Sequence, residues 1–224
     1  MPSKSASNAL GTPGQTLQTF SLLDLQQYTK EKAYSNTTSK DFHLFYVGRD
    51  DVHDILKHVL SRVSISLYLN MFGYDDDELN EILMAKALDP HITMLITLDS
   101  SQAKGKHEKA LLDSDIAKHP DQYNTHFVTG QSSTHQISHT KGFVADGKVG
   151  GEGSTNWSAS GEGTFTGTFM VSGQPAPGGS GYKAQNNTQS IFTDLDTISR
   201  FQSELIAEHL AAQHQAAKTK AAHA

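Results

Sequence analysis

Two periods of apolar residues divide the chain between residues 42 and 215. "FHLFYVG" (42–48) is an apolar run of strand length, and after it Asp50 or Asp51 can cap a helix on which Val52, Ile55, Leu56, Val59, Leu60 and Val63 recur at helical spacing. "ISLYLNMFGY" (65–74) reads as a second strand, apolar along its whole length and so covered on both faces. "DDDELNEILMAKAL" (75–88) follows as a helix with Leu79, Ile82 and Leu83 inward, and "HITMLITLD" (91–99) as a third strand. The pattern then predicts a helix over 104–120 ending at Pro120, a strand at 125–130, and two short strands, "GFVAD" and "KVGGEGS", around a turn at Asp146-Gly147. "QSIFTD" (189–194) is a last strand, and 196–215 a final helix with Ile198, Phe201, Leu205 and Ile206 toward one face. This β-α-β-α-β-α-β-β order predicts an α/β fold, a sheet sandwiched between helices.

The flanks break the pattern. Residues 1–18 are rich in Ser, Gly, Pro and Asn without periodicity and read as a disordered leader, with a short helix expected over 17–33. A single catalytic domain is expected over 19–212. Within it, 164–182 form a Gly/Pro-rich insertion loop, either a functional flap or a disordered insertion, and 213–224 read as a flexible tail.

Composition narrows the chemistry. Hydrophobic residues at 36% and charged residues at 19% fit a globular protein with some poorly ordered sequence. The chain has no cysteine, which rules out disulfides, thiolate metal sites and a cysteine nucleophile; any zinc would need His and carboxylates. The start lacks a secretory h-region and an Arg-rich amphipathic transit pattern, and no apolar run approaches spanning length. A cytoplasmic location is expected, with export lacking a signal peptide left open. A net charge of −6 does not favour non-specific polyphosphate binding, although a local basic groove is compatible with it.

Against this background "HTKGFVADGKVGGEGSTNWS" (139–158) places His139, Lys141, Asp146, Gly153, Ser154 and Asn156 in the arrangement H-x-K-x4-D-x6-G-S-x-N. On a strand, His139 and Lys141 project to one face and Thr140 to the other. A neutral imidazole can act as nucleophile, the ammonium and the Asn156 amide can hold phosphate oxygens, Ser154 adds a hydroxyl, and Gly153 lets backbone come close. Asp146, at odd spacing from His139, is expected to serve the turn rather than attack substrate.

In these residues the chain resembles the phospholipase D superfamily, whose signature is this HKD pattern. The resemblance implies a phospholipase D-like mixed sheet flanked by helices, and a phosphodiesterase that needs no metal or cofactor. It also implies a covalent route: one histidine forms a phosphohistidine while a second protonates the leaving oxygen and later activates water. The catalytic set is then His139, Lys141, Asn156 and Ser154, with Asp146 as the motif's aspartate.

The chain carries a single motif, so a homodimer across the active site is expected to supply the second histidine, as single-motif members of the family do. Short single-motif members are mostly nucleases, which makes an endonuclease on DNA or RNA the first expectation; hydrolysis of phospholipid headgroups is the second and a catalytically weak phosphodiester-binding module the third. The family's orienting glutamate has no counterpart in "QNNTQSIF" (185–192), where Thr188 aligns with it; Gln189 or Asn187 could take its hydrogen bond, or Glu162 could stand in. Gly153, Gln189, Glu162 and Trp157 are the further candidates for lining the substrate.

Other features have plainer readings. Asp75–Asp77 are expected to cap their helix, and Lys104, Lys106 and Lys109 to be a solvated helix start or a contact to flanking phosphates. His135 and His139 share metal-like spacing only on a helix, whereas this segment reads extended. Phe165, Phe169 and Tyr182 are loop anchors or stacking platforms.

Overall fold

The computed structural model describes residues 16–99, 105–130, 139–163 and 185–222. Residues 1–15 of the expected leader, Lys104, His135, Phe165, Phe169, Tyr182 and the 164–182 insertion lie outside them. Among the described residues nine strands form: β1 (Phe42–Tyr46), β2 (Ser66–Met71), β3 (Tyr74–Asp75), β4 (Thr93–Asp99), β5 (Thr125–Gly130), β6 (Lys141–Ala145), β7 (Val149–Gly153), β8 (Trp157–Ser158) and β9 (Thr188–Phe192). Seven make one mixed sheet in the order β1-β9-β7-β6-β2-β4-β5, with β2, β4 and β5 parallel and the β1, β9, β7, β6 side antiparallel up to β2.

Helices cover both faces, giving the expected sandwich. On one face lie α1 (Val52–Leu60) and α2 (Asp77–Ala87), whose apolar residues share a core with Phe45, Leu67, Leu69, Phe143 and Ile191. Asp51 and Asp76 cap these helices through Asp54 N and Leu79 N. The opposite face is covered by a long helix, Leu195–Ala222, with Ile198 and Leu205 packed on Val144 and Phe192. Strand alternation divides β6 between the two: Lys141, Phe143 and Ala145 face α1 and α2, whereas Gly142 and Val144 face the long helix.

Several boundaries differ from the pattern. The apolar run 65–74 divides at Phe72-Gly73, where the chain leaves the large sheet and Tyr74–Asp75 pairs in parallel with Trp157–Ser158. The 104–120 segment makes three short helices, α3 (Lys106–Asp113), α4 (Asp115–Lys118) and α5 (Pro120–Tyr123), because the Ser114 hydroxyl caps a new start and Pro120 opens a helix rather than closing one. A one-turn α6 (Ala159–Glu162) follows β8, so the long helix is α7. That helix runs past residue 212, where a flexible tail was expected, because "AAQHQAAKTKAA" is dominated by strong helix formers. Order also begins before residue 18: Thr16 caps a 3₁₀ turn that buries Leu17, and a second such turn, Leu22–Tyr28, replaces the short helix. Among the described residues no helix is long and apolar enough to cross a membrane.

Candidate active site

Strand β6 positions Lys141 at its first residue, and His139 lies just before it rather than within a strand. The two side chains still meet. Lys141 Nζ is 3.1 Å from His139 Nδ1, 3.2 Å from Nε2 and 2.9 Å from the His139 carbonyl oxygen. Burial lowers the Lys141 pKa, partly offset by Glu152.

Phe72, at the point where the chain leaves β2, forms the wall of this pair. Its ring centroid is 4.6 Å from that of His139 and 5.1 Å from Lys141 Nζ. Behind the pair, Thr140 points to the other side of the sheet, its Oγ1 3.4 Å from Glu208 Oε1 on α7. Glu208 also accepts from Asn70 Nδ2 on β2, the neighbouring strand. These bonds join the start of β6 to the helix beneath it.

Asn156 arrives from the loop after β7 and lies against Gly73, next to Phe72. A Cβ on Gly73 would come 2.9 Å from Asn156 Cγ, so the carboxamide's place exists because residue 73 has no side chain. Asn156 Oδ1 is buried without a hydrogen-bond partner. The Gly73 carbonyl accepts from Trp157 N at 2.9 Å, which fixes the Asn156 loop to the end of β2. Phe72 and Gly73 thus bring together the two ends of the motif. Sequence reasoning missed both, although a Phe-Gly pair ending an apolar strand was a visible cue.

Other motif residues build the scaffold. Ser154 donates to Asn187 Oδ1 at 3.1 Å and accepts from Thr188 N at 3.0 Å, fastening β7 to β9. Asp146, the first residue of the turn at φ 53°, accepts from Ser64 N and Oγ, Ile65 N and Ser66 N. Its carboxylate is occupied by the segment that opens β2.

The candidate substrate-lining residues are placed differently from expectation. Trp157 is a core residue, 1% exposed, packed on Tyr74 and Phe143, so its ring cannot reach a substrate. A Cβ on Gly153 would overlap the Thr188 carbonyl, so its missing side chain serves strand contact. Gln189 is buried, its Nε2 donating to Ser190 O, and Asn187 is spent on Ser154, Gly161 and Gln185. Glu162 does not stand in for the family glutamate, because its Oε2 lies 2.5 Å from His53 Nδ1. Among the described residues no carboxylate is hydrogen-bonded to the His139 ring. Lys106, on the expected basic cluster, pairs with Asp77 at 3.2 Å.

By sequence, no protein-family model and no curated protein matches the chain. By structure, it is similar to Nuc from Salmonella typhimurium, described as a phospholipase D family member, with a TM-score of 0.51 at 13% identity; the match covers 76% of this chain and 94% of that one. NucT from Helicobacter pylori also matches with a TM-score of 0.51, at 15% identity, over 76% of this chain and 96% of its own. Both are matched almost end to end, with the unmatched residues on this chain's side. The seven-stranded mixed sheet and its two helical layers therefore give this chain the phospholipase D fold.

Proposed function

We propose that the protein is a phosphodiester hydrolase, an endonuclease acting on DNA or RNA through a covalent phosphohistidine. The observation that carries this reading is the Lys141 ammonium resting on the His139 ring at the edge of a phospholipase D fold. His139 attacks phosphorus as the P–O bond to the leaving group breaks, and a histidine of a second copy gives that oxygen its proton. Water, deprotonated by the same partner histidine, then displaces His139 from phosphorus. Lys141 and the Asn156 amide hold the charge on the equatorial oxygens. The near-complete match to Nuc and NucT, each a short chain, supports the nuclease reading over the phospholipid one.

The test is an assay without added metal on single-stranded DNA, RNA and phosphatidylcholine vesicles, with acid quenching to trap phosphorus on His139. Nucleic acid cleavage with an acid-labile adduct is expected. Cleavage without an adduct overturns the mechanism, and cleavage of the vesicles alone overturns the substrate. Light scattering should find a dimer, and an active monomer would refute the shared site.

One observation favours a second reading. Among the described residues no carboxylate is hydrogen-bonded to the His139 ring, so the nucleophile that the first reading needs has no acidic group there to orient it. If no substrate is cleaved while a phosphodiester analogue binds, the protein is a binding module.

A further inference from the structure

Three further parts of the chain converge. His53 on α1, Asp76 ahead of α2 and Glu162 on α6 each turn a donor atom to a common point, and these atoms all lie within 4.8 Å of one another. His53 Nδ1 is 2.5 Å from Glu162 Oε2 and 3.6 Å from Asp76 Oδ2. The Glu162 side chain is fully buried and that of His53 is 12% exposed.

As a set of hydrogen bonds the cluster is incomplete. One ring nitrogen faces two carboxylates and has one proton to share between them. Glu162 Oε1 is buried with no hydrogen-bond partner. The nearby Ser158 amide, close enough to favour the charged carboxylate, makes its hydrogen bond to the Asn156 carbonyl at 2.9 Å. A protonated His53 would still leave one negative charge and one unpaired oxygen in a closed space, which is a costly arrangement.

The surroundings aim each donor inward. Asp76 uses Oδ1 as its helix cap, accepting from Leu79 N at 2.7 Å, so Oδ2 is left to face His53. His53 Nε2 lies 3.4 Å from Glu78 Oε2, which also receives Lys57 Nζ at 2.5 Å. When Nε2–H is donated to Glu78, Nδ1 presents its lone pair to the centre. A carboxylate behind an imidazole is the usual support for a metal-bound histidine.

We propose that His53, Asp76 and Glu162 form a zinc site, with a fourth position open to water. A divalent ion offsets both carboxylates while the imidazole stays neutral, and a nitrogen with two carboxylate oxygens suits zinc better than calcium or magnesium, which take mostly oxygen ligands. The ion joins α1, α2 and α6, and α6 begins three residues after Asn156. Its role is to hold that loop, with no part in phosphoryl transfer, so the proposal stands or falls independently of the phosphodiesterase reading.

Full-length chain stripped with a chelator and dialysed is titrated with zinc alone, following bound metal by mass spectrometry and the unfolding midpoint by calorimetry. The unmodified chain should retain one zinc more than His53→Gln or Glu162→Gln, and zinc should raise its midpoint but not theirs. The comparison with variants matters because the chain has 12 histidines and histidine is a common zinc ligand. Asp76→Asn keeps the Oδ1 cap and serves where Glu162→Gln does not fold. Cobalt(II) on the unmodified chain gives a further readout: the visible absorption of a four-coordinate site is expected. Equal zinc in parent and variants, or only the weak spectrum of six-coordinate cobalt, overturns the site.

Discussion

Lys141 Nζ lies 3.1 Å from His139 Nδ1, and both side chains rest on the ring of Phe72. On the proposed reading the ammonium is placed to hold a phosphate oxygen while His139 attacks phosphorus. His139→Ala should abolish turnover of a chromogenic phosphodiester. Lys141→Ala should retain the fold and lose about 3 kcal/mol of transition-state stabilisation, roughly a hundredfold in kcat, as removal of an oxyanion donor does. A Lys141→Ala variant with near-parent kcat would remove that residue from the site.

Gly73 and Asn156 are coupled by contact. Adding the alanine methyl at position 73 pushes on the Asn156 carboxamide, because the new carbon would sit 2.9 Å from Cγ. Gly73→Ala should lower kcat about tenfold in the parent and have little effect once Asn156 is already alanine, which is the non-additivity expected of touching residues. Equal effects in both backgrounds, read from a double-mutant cycle, would show that Gly73 acts elsewhere.

Much of this was legible in the sequence, for reasons that particular residues make clear. The α1 stripe from Val52 to Leu60 and the alternation of β6 depend on local periodicity, and the motif sits within 18 consecutive residues, so pattern alone located them. Trp157 was misjudged because adjacency to Asn156 says nothing about which way a two-residue strand turns its side chains; here the ring faces Tyr74 and Phe143. Glu162 was misjudged for the opposite reason. Its partner His53 is 109 residues away, and no spacing rule connects a carboxylate on a one-turn helix to a histidine on α1.

Asp146 gives the sharpest separation of motif membership from chemistry. Its carboxylate receives three backbone amides and the Ser64 hydroxyl, and removing it leaves those donors at the start of β2 unpaired. Asp146→Ala should destabilise the protein by about 3 kcal/mol, the scale of losing charge-assisted bonds to buried groups. The folded protein should keep its kcat. Chemical denaturation beside kinetics at low temperature distinguishes this from a catalytic loss, in which kcat would fall and the unfolding midpoint would hold.

Part of the acid sensitivity should come from two buried histidines. Burial pushes the pKa of His209 down to about 4, where its Nδ1 meets Thr97 Oγ1 at 3.0 Å, and does the same to His58 beside Tyr28, with Arg62 adding to the effect. An unfolded histidine takes a proton near pH 6.5, whereas these stay neutral in the folded chain until about pH 4. The unfolded state therefore binds more protons through that window, and the stability that both groups contribute at neutral pH is lost as pH falls from about 6.5 toward 4, on the order of 2 kcal/mol for each. Substituting His209 by Gln, which cannot take up a proton, should flatten part of this slope in denaturant titrations repeated across that range. An unchanged slope would place the acid-sensitive group elsewhere, because a residue that no longer titrates cannot contribute to proton-linked unfolding.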